Sequence, residues 1–121
     1  MMTYQKKIGN FGEKIAAEFL KEQGYQLLDQ QYTTRFGELD LVMVDSGSVV
    51  FVEVKTRTNE KFGLPEASVT QEKLERIQNA GLLWLQAHPE INDFWRIDVI
   101  AVILDQHNKI TDIQHFINVL S

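Results

Sequence analysis

Apolar and polar positions alternate along the chain with two different periods. Over residues 10–23, Phe11, Ile15, Ala16, Phe19 and Leu20 recur at helical spacing. Asn10 followed three residues later by Glu13 has the spacing of a capping box, which places the helix start at Asn10, and Gly24 is a natural stop. Residues 25–32, YQLLDQQY, read as a short strand. Residues 37–44, GELDLVMV, alternate and then run apolar, and residues 49–55, VVFVEVK, are rich in β-branched side chains. The DSGS between them is a hairpin signal, so these two strands are expected to pair antiparallel. Residues 56–66 read as a loop.

A second helix is expected over 70–87. Thr70 and Lys73 stand at its start, Leu74, Ile77, Ala80 or Gly81, and Leu85 form its apolar stripe, and His88-Pro89 ends it. Residues 96–104, RIDVIAVIL, read as a buried strand, 105–109 as a turn, and 110–119 as a final edge strand. The order of helix, strand, hairpin, helix, strand, strand predicts an α/β fold with a mixed sheet flanked by helices. The long second helix supplies the crossover that a parallel neighbour needs.

Composition narrows the classes of function. Of 121 residues, 44% are hydrophobic and 24% charged, ordinary globular usage, so a single domain over 1–121 is expected. The chain has no cysteine, which excludes disulfides, cysteine-held metals and a thiol nucleophile and fits a reducing cytoplasm. It has no apolar run of about 18 residues and no signal-peptide pattern, so a cytoplasmic protein with no membrane partner is expected. Twelve Lys and Arg against seventeen Asp and Glu leave a net charge of −5. That opposes a passive DNA-coating role, which rests on phosphate contacts. It leaves room for an enzyme whose carboxylates gather around divalent metal.

The candidate chemistry lies on the hairpin. Asp40 and Glu53 stand on its two strands, and counting back from the turn brings them near one another across the pair. Glu38 and Asp40 are two apart, as are Glu53 and Lys55, so each pair is expected to share a face, with Val52 and Val54 turned to the core. The hairpin would gather three carboxylates and an amine. Two carboxylates about 4 Å apart repel by roughly 4 kcal/mol at a surface-like dielectric. A hard divalent cation turns that repulsion into binding, activates water and stabilises charge on a phosphate. Lys55 would orient or deprotonate the water, or offset transition-state charge. The plain alternative is a surface E-x-K pair worth less than about 1 kcal/mol.

In sequence, Gly9-Asn10-Phe11-Gly12-Glu13, Gly37-Glu38-Leu39-Asp40-Leu41 and Phe51-Val52-Glu53-Val54-Lys55-Thr56-Arg57 are followed by Phe62-Gly63, Val69-Thr70-Gln71-Glu72-Lys73 and Arg96-Ile97-Asp98-Val99. This series resembles the YraN-like bacterial family of the PD-(D/E)XK nuclease superfamily over roughly residues 9–103. The resemblance implies a three-layer, restriction-endonuclease-like core with Asp40, Glu53 and Lys55 in the D…E-x-K positions. It implies Mg²⁺ or Mn²⁺ held by Asp40, Glu53 and Glu13, the last resembling the helical acid of Holliday-junction resolvases. Gln71 and Lys73 resemble accessory polar positions and, with Arg35 and Arg57, are the candidate nucleic-acid contacts.

The implied activity is metal-dependent endonucleolytic hydrolysis of DNA in repair or recombination, with branched or junction DNA favoured. Paired cuts need two sites, which implies a homodimer. The alternatives are a non-catalytic nucleic-acid-binding or accessory module with this fold, and an RNA nuclease with the same chemistry. One departure stands in Gln31-Tyr32-Thr33-Thr34-Arg35, where Thr33 replaces a basic residue common in relatives and Arg35 remains.

Other residues have plainer readings. Glu13 is either a capping residue or a site acid, and Glu38 either a ligand or a solvated neighbour. Asp98 is expected to pair with Arg96 as a structural group. His88, His107 and His115 read as surface residues. Trp84 and Trp95 read as core, with base stacking by Trp84 the alternative. Lys6, Lys7, Lys14, Lys61 and Arg76 are candidates for a basic rim.

Overall fold

A computed structural model describes residues 2–58, 69–91 and 94–120. The elements are α1 (Tyr4–Glu22), β1 (Gln26–Thr34), β2 (Gly37–Asp45), β3 (Ser48–Arg57), α2 (Gln71–Ala87), β4 (Trp95–Leu104) and β5 (Ile110–Phe116). The five strands form one sheet in the order β1-β2-β3-β4-β5. Every neighbouring pair is antiparallel except β3 and β4, which run parallel and are joined through α2. Lys61 and the Phe62-Gly63 pair lie outside the described residues, as does most of the expected 56–66 loop.

The helices cover opposite faces, giving the three-layer core. On one face Ala16, Ala17 and Leu20 of α1 pack on Leu41, Met43, Val50, Val52, Ile100, Val102 and Leu104. On the other, Ile77, Ala80 and Trp84 of α2 pack on Val42, Val49, Phe51 and Ile97. Each fully buried Val, Leu, Ile or Phe side chain contributes about 1.5–3 kcal/mol. β4 is buried on both faces, which is why it reads as a continuous apolar run.

α1 begins at Tyr4, not Asn10. Thr3 is its cap, its hydroxyl accepting the Lys6 N–H at 3.1 Å. Ile8 packs against the α1-side core, and no breaker separates it from Tyr4, so the helix extends back through the capping-box look-alike. Glu13 is therefore an interior residue of the helix and no cap. The other end is a Schellman motif: Gly24 takes φ +95°, its N–H bonds the Lys21 carbonyl, and the Tyr25 N–H bonds the Leu20 carbonyl. Two glycines mark close helix–sheet approach. A Cβ on Gly12 would overlap Thr56 Oγ1 of β3, and one on Gly81 would sit 2.6 Å from the Phe51 ring.

Two of the three histidines are not surface residues. His115 donates from Nε2 to Asp98 Oδ2 at 2.8 Å and packs edge-on against Phe19 and Tyr25. His88 stacks on Trp84 with centroids 3.9 Å apart and bonds the Trp84 carbonyl at 2.7 Å. His107 is exposed in the β4–β5 turn. Trp84 is 1% exposed and donates Nε1–H to Asp29 at 2.9 Å, so it is core and out of reach of a base.

Asp98 is wholly buried and fully satisfied. It accepts from Arg96 Nε at 3.0 Å, from His115, and from the Asn118 N–H at 2.9 Å. Arg96 reaches on to the Tyr25 hydroxyl at 2.8 Å and Asp45 at 3.2 Å. This network ties α1's exit, β2, β4 and β5 together at the end of the sheet where β4 begins, away from the end of β3.

Candidate active site

The sheet forks where β3 carries its acidic and basic residues. The β2–β3 ladder runs from Asp45↔Ser48 to Leu41↔Val52 and stops there. Beyond it β3 continues beside β4 to Arg57↔Ile103, while β2 continues beside β1 to Gly37↔Thr34. Asp40 stands at the crotch, and its carboxylate accepts the Val54 N–H at 2.8 Å, bridging strands that no longer share a ladder. Across β1, Gln31 takes φ +48°, an uncommon value for a non-glycine residue. Leu41 packs into the α1-side cluster and Leu39 into the α2-side one, so strand alternation breaks at Asp40.

That break corrects one expectation. Glu38 and Asp40 do not converge as a pair. Asp40 lines a cavity of about 430 Å³ between α1 and the end of β3, together with Glu13, Glu53, Lys55 and Arg57. Glu38 is exposed and lines a smaller cavity of about 160 Å³ toward α2, with Lys73 and Arg76. Glu53 lines both cavities and is the link between them.

The electrostatics are those of a crowded acid site. Asp40 is pushed up to about 9, first by burial, then by the hydrogen-bonded Glu53 carboxyl and its charge, with the Val54 N–H pulling the other way. Asp40 thus keeps its proton at neutral pH, with the Glu53 carboxyl hydrogen-bonded to it. Glu13 is also raised, chiefly by burial, while the Gln31 amide 3.3 Å away works against the rise and the charges of Glu38 and Glu53 add to it. Lys55 is lowered, first by burial, then by the Lys73 amine alongside it, against the pull of Glu53. Thr70 caps α2 by accepting the Lys73 N–H at 3.2 Å, fixing the turn from which Lys73 reaches Lys55.

The candidate nucleic-acid contacts divide by position. Arg57 lines the acid cavity and Lys73 the adjoining one. Gln71 is exposed at the first position of α2. Arg35 is exposed on the β1–β2 turn, its guanidinium 4.9 Å from the centre of the Phe36 ring. Gln31 was not singled out by sequence reasoning, yet its amide bonds both Asn10 at 2.8 Å and Glu13. Nothing in a Gln within a strand pattern signals that role.

Among the described residues, no three His, Cys, Asp or Glu side chains converge closely enough to ring a metal ion. Two carboxyls meet, and the Glu13 carboxylate is engaged by Gln31. Mg²⁺ is commonly held by one or two carboxylates, with waters and substrate phosphates completing its shell. A half-buried carboxyl pair, hard in its donors and costly when empty, fits such a cation.

A family model described as "Uncharacterised protein family UPF0102" matches residues 12–102. A UPF0102 protein of Syntrophomonas wolfei is 37% identical over 113 residues, covering 93% of this chain and 96% of its own. One of Syntrophus aciditrophicus is 43% identical over 103 residues, covering 85% and 81%. One of Clavibacter michiganensis is 43% identical over 102 residues, covering 84% and 86%.

Proposed function

The chain belongs to the uncharacterised protein family UPF0102, and on that premise we propose a metal-dependent endonuclease that hydrolyses DNA phosphodiester bonds. The observation that supports it most is the Asp40–Glu53 carboxyl pair at the sheet fork, with Lys55 on the same strand end. A structural role would set Asp40 against a cation, as Asp98 is set against Arg96. Asp40 instead faces a second acid, an arrangement that costs free energy in the empty protein. Buried strain of this kind is common where charge must be poised for a ligand.

Asp40 and Glu53 would hold Mg²⁺ or Mn²⁺, with Glu13 an outer acid on the wall of the same cavity. Such a cation, when bound, stabilises charge on the phosphoryl oxygens and makes bound water more nucleophilic. The chain's own residues do the positioning. The Val54 N–H fixes Asp40, and Gln31 fixes Glu13. Lys55 places its amine beside the attacking oxygen or the charge that develops on the phosphate. Lys73 and Arg57 flank it with positive charge, while Gln71 and Arg35 extend the contact along the backbone of the DNA. Branched or junction DNA is the proposed substrate, and a homodimer the form that cuts it.

The test is cleavage of linear duplex, single-stranded, flap and four-way-junction DNA with Mg²⁺, Mn²⁺ or EDTA, by wild type, Glu53→Gln and Lys55→Ala. Cleavage that requires the cation and is lost in both variants is expected. A folded wild type that binds these DNAs and cleaves none with either cation would overturn the enzyme reading in favour of an accessory module.

A further inference from the structure

Two features of the acid cavity are left without a role by the acid pair and the amines. The first is Tyr4. It lies at the start of α1, lines the cavity, and is 56% exposed. An exposed aromatic on a helix end is ordinarily free to turn, but this one is held. Its hydroxyl donates to Asn108 Oδ1 at 3.3 Å and accepts from Asn108 Nδ2 at 3.1 Å. Asn108 is itself fixed in the β4–β5 turn, its N–H bonded to the Asp105 carbonyl at 3.0 Å. Asp105 in turn accepts the N–H groups of His107 and Lys109. A contact between residues 4 and 108 thus sets one ring at the cavity's edge.

The second feature is Gly9. It lies inside α1, where glycine is the least favourable residue after proline. Packing accounts for Gly12, where a Cβ would overlap Thr56. Packing among the described residues does not account for Gly9, where a Cβ would meet none of their atoms within 4 Å. Gly9 lines the same cavity as Tyr4, Glu53 and Lys55. A position that has room for a side chain, lacks one, and faces a cleft is a place where a ligand approaches the backbone.

We propose that this cavity is a subsite for one unpaired nucleotide beside the scissile phosphate, its base stacked on Tyr4 and its backbone passing over Gly9. The inference deepens the nuclease reading and rests on it. The volume of about 430 Å³ lies in the range of small-ligand sites, roughly 300–1,000 Å³. Aromatic stacking needs an unstacked base, because a paired base inside a duplex offers no free face. The subsite therefore selects DNA that carries single-stranded character where it is cut, such as a flap base, a branch point or a free strand. Positive charge from Lys55 and Arg57 faces the same space and suits the adjoining phosphates.

The test is binding without cleavage. A single-stranded oligonucleotide carrying 2-aminopurine, and a blunt duplex of the same sequence, are titrated in EDTA with wild type, Tyr4→Ala, Tyr4→Trp, Gly9→Ala and Gly9→Leu. Thermal unfolding is recorded for each protein. Wild type should quench 2-aminopurine and prefer the single strand. Tyr4→Ala should weaken single-strand binding about tenfold, within the range of base–aromatic stacking, while Tyr4→Trp retains it. The Gly9 variants should lose single-strand binding progressively with side-chain size while their Tm stays level or rises, because alanine and leucine are better helix formers than glycine. A purely structural Gly9 would lower Tm and leave binding alone. Unchanged single-strand binding in Tyr4→Ala and Gly9→Leu overturns the subsite and leaves the nuclease proposal standing. Wild type that binds neither DNA overturns the subsite, and the cleavage assay with Mg²⁺ or Mn²⁺ decides the nuclease reading separately.

Discussion

Replacing Asp40 with asparagine should make the metal-free protein more stable at neutral and alkaline pH, and the gain should grow with pH. In the native state Asp40 holds its proton up to about 9, because it is buried and lies against Glu53. In the unfolded chain an aspartate releases its proton near 3.9. Between those values the native state binds a proton that the unfolded state does not. The linkage slope is then negative: stability falls by up to about 1.4 kcal/mol for each pH unit. From pH 6 to pH 8 the loss approaches about 3 kcal/mol, a large share of the roughly 5–15 kcal/mol typical of a domain. The asparagine of the variant is shaped like the protonated acid. Its carbonyl oxygen can still accept the Val54 N–H, and its amide can donate to Glu53, so nothing new is left unpaired. Lys55 contributes a slope of opposite sign, since its lowered pKa makes the unfolded chain the stronger proton binder at alkaline pH. It is present in both proteins, so the wild-type-to-variant difference isolates Asp40. Urea unfolding in EDTA at pH 6, 7 and 8 measures that difference. A gap that widens with pH in favour of Asp40→Asn is expected, and parallel profiles would refute a proton held on Asp40.

Further predictions concern the scaffold. Gly12→Ala should lose about 1–3 kcal/mol despite its better helix propensity, because the new methyl meets Thr56 Oγ1, and Thr56→Ala in the same chain should recover part of the loss in urea unfolding. Asp98→Ala should lose about 1–3 kcal/mol, since it leaves His115, the Asn118 N–H and Arg96 Nε without their acceptor while Arg96 keeps Asp45 and Tyr25. Asp98 is held below the usual carboxylate range: burial works against this, and the bonds from His115, Arg96 and the Asn118 N–H outweigh it. Its stabilisation is therefore complete above the unfolded aspartate pKa and fades as pH falls through the lower native value. Acid unfolding followed by circular dichroism should show that late loss in wild type and not in Asp98→Ala.

The strands were legible because β-branched alternation and the DSGS turn point to one register. Counting back from that turn brings Asp40 near Glu53, and the observed ladder ends one residue short of them at Leu41↔Val52. β4 was legible because burial on both faces leaves an unbroken apolar run. The start of α1 was not, because Asn10 and Glu13 imitate a cap inside a helix whose true cap, Thr3, has no such partner. The fork was illegible for a different reason. It is marked by a positive φ at Gln31 and by one side chain, Asp40, accepting the Val54 N–H past the end of the β2–β3 ladder, and neither leaves a period in the sequence. Contacts across long separations were equally hidden. His115 looked like an edge residue until β5 brought it to Asp98, and Lys73 met Lys55 only once α2 had crossed over the sheet.

A cation-binding acid pair of Asp40 and Glu53 must give up a proton when the metal enters. Calorimetric titration of Mn²⁺ into the protein near pH 7.5, repeated in two buffers of different ionisation enthalpy, counts the protons released on binding. Saturable binding is expected, with release of close to one proton per cation, the one held on Asp40, and loss of both binding and release in an Asp40→Asn, Glu53→Gln double variant. Binding that releases no proton, or that survives in the double variant, would contradict it.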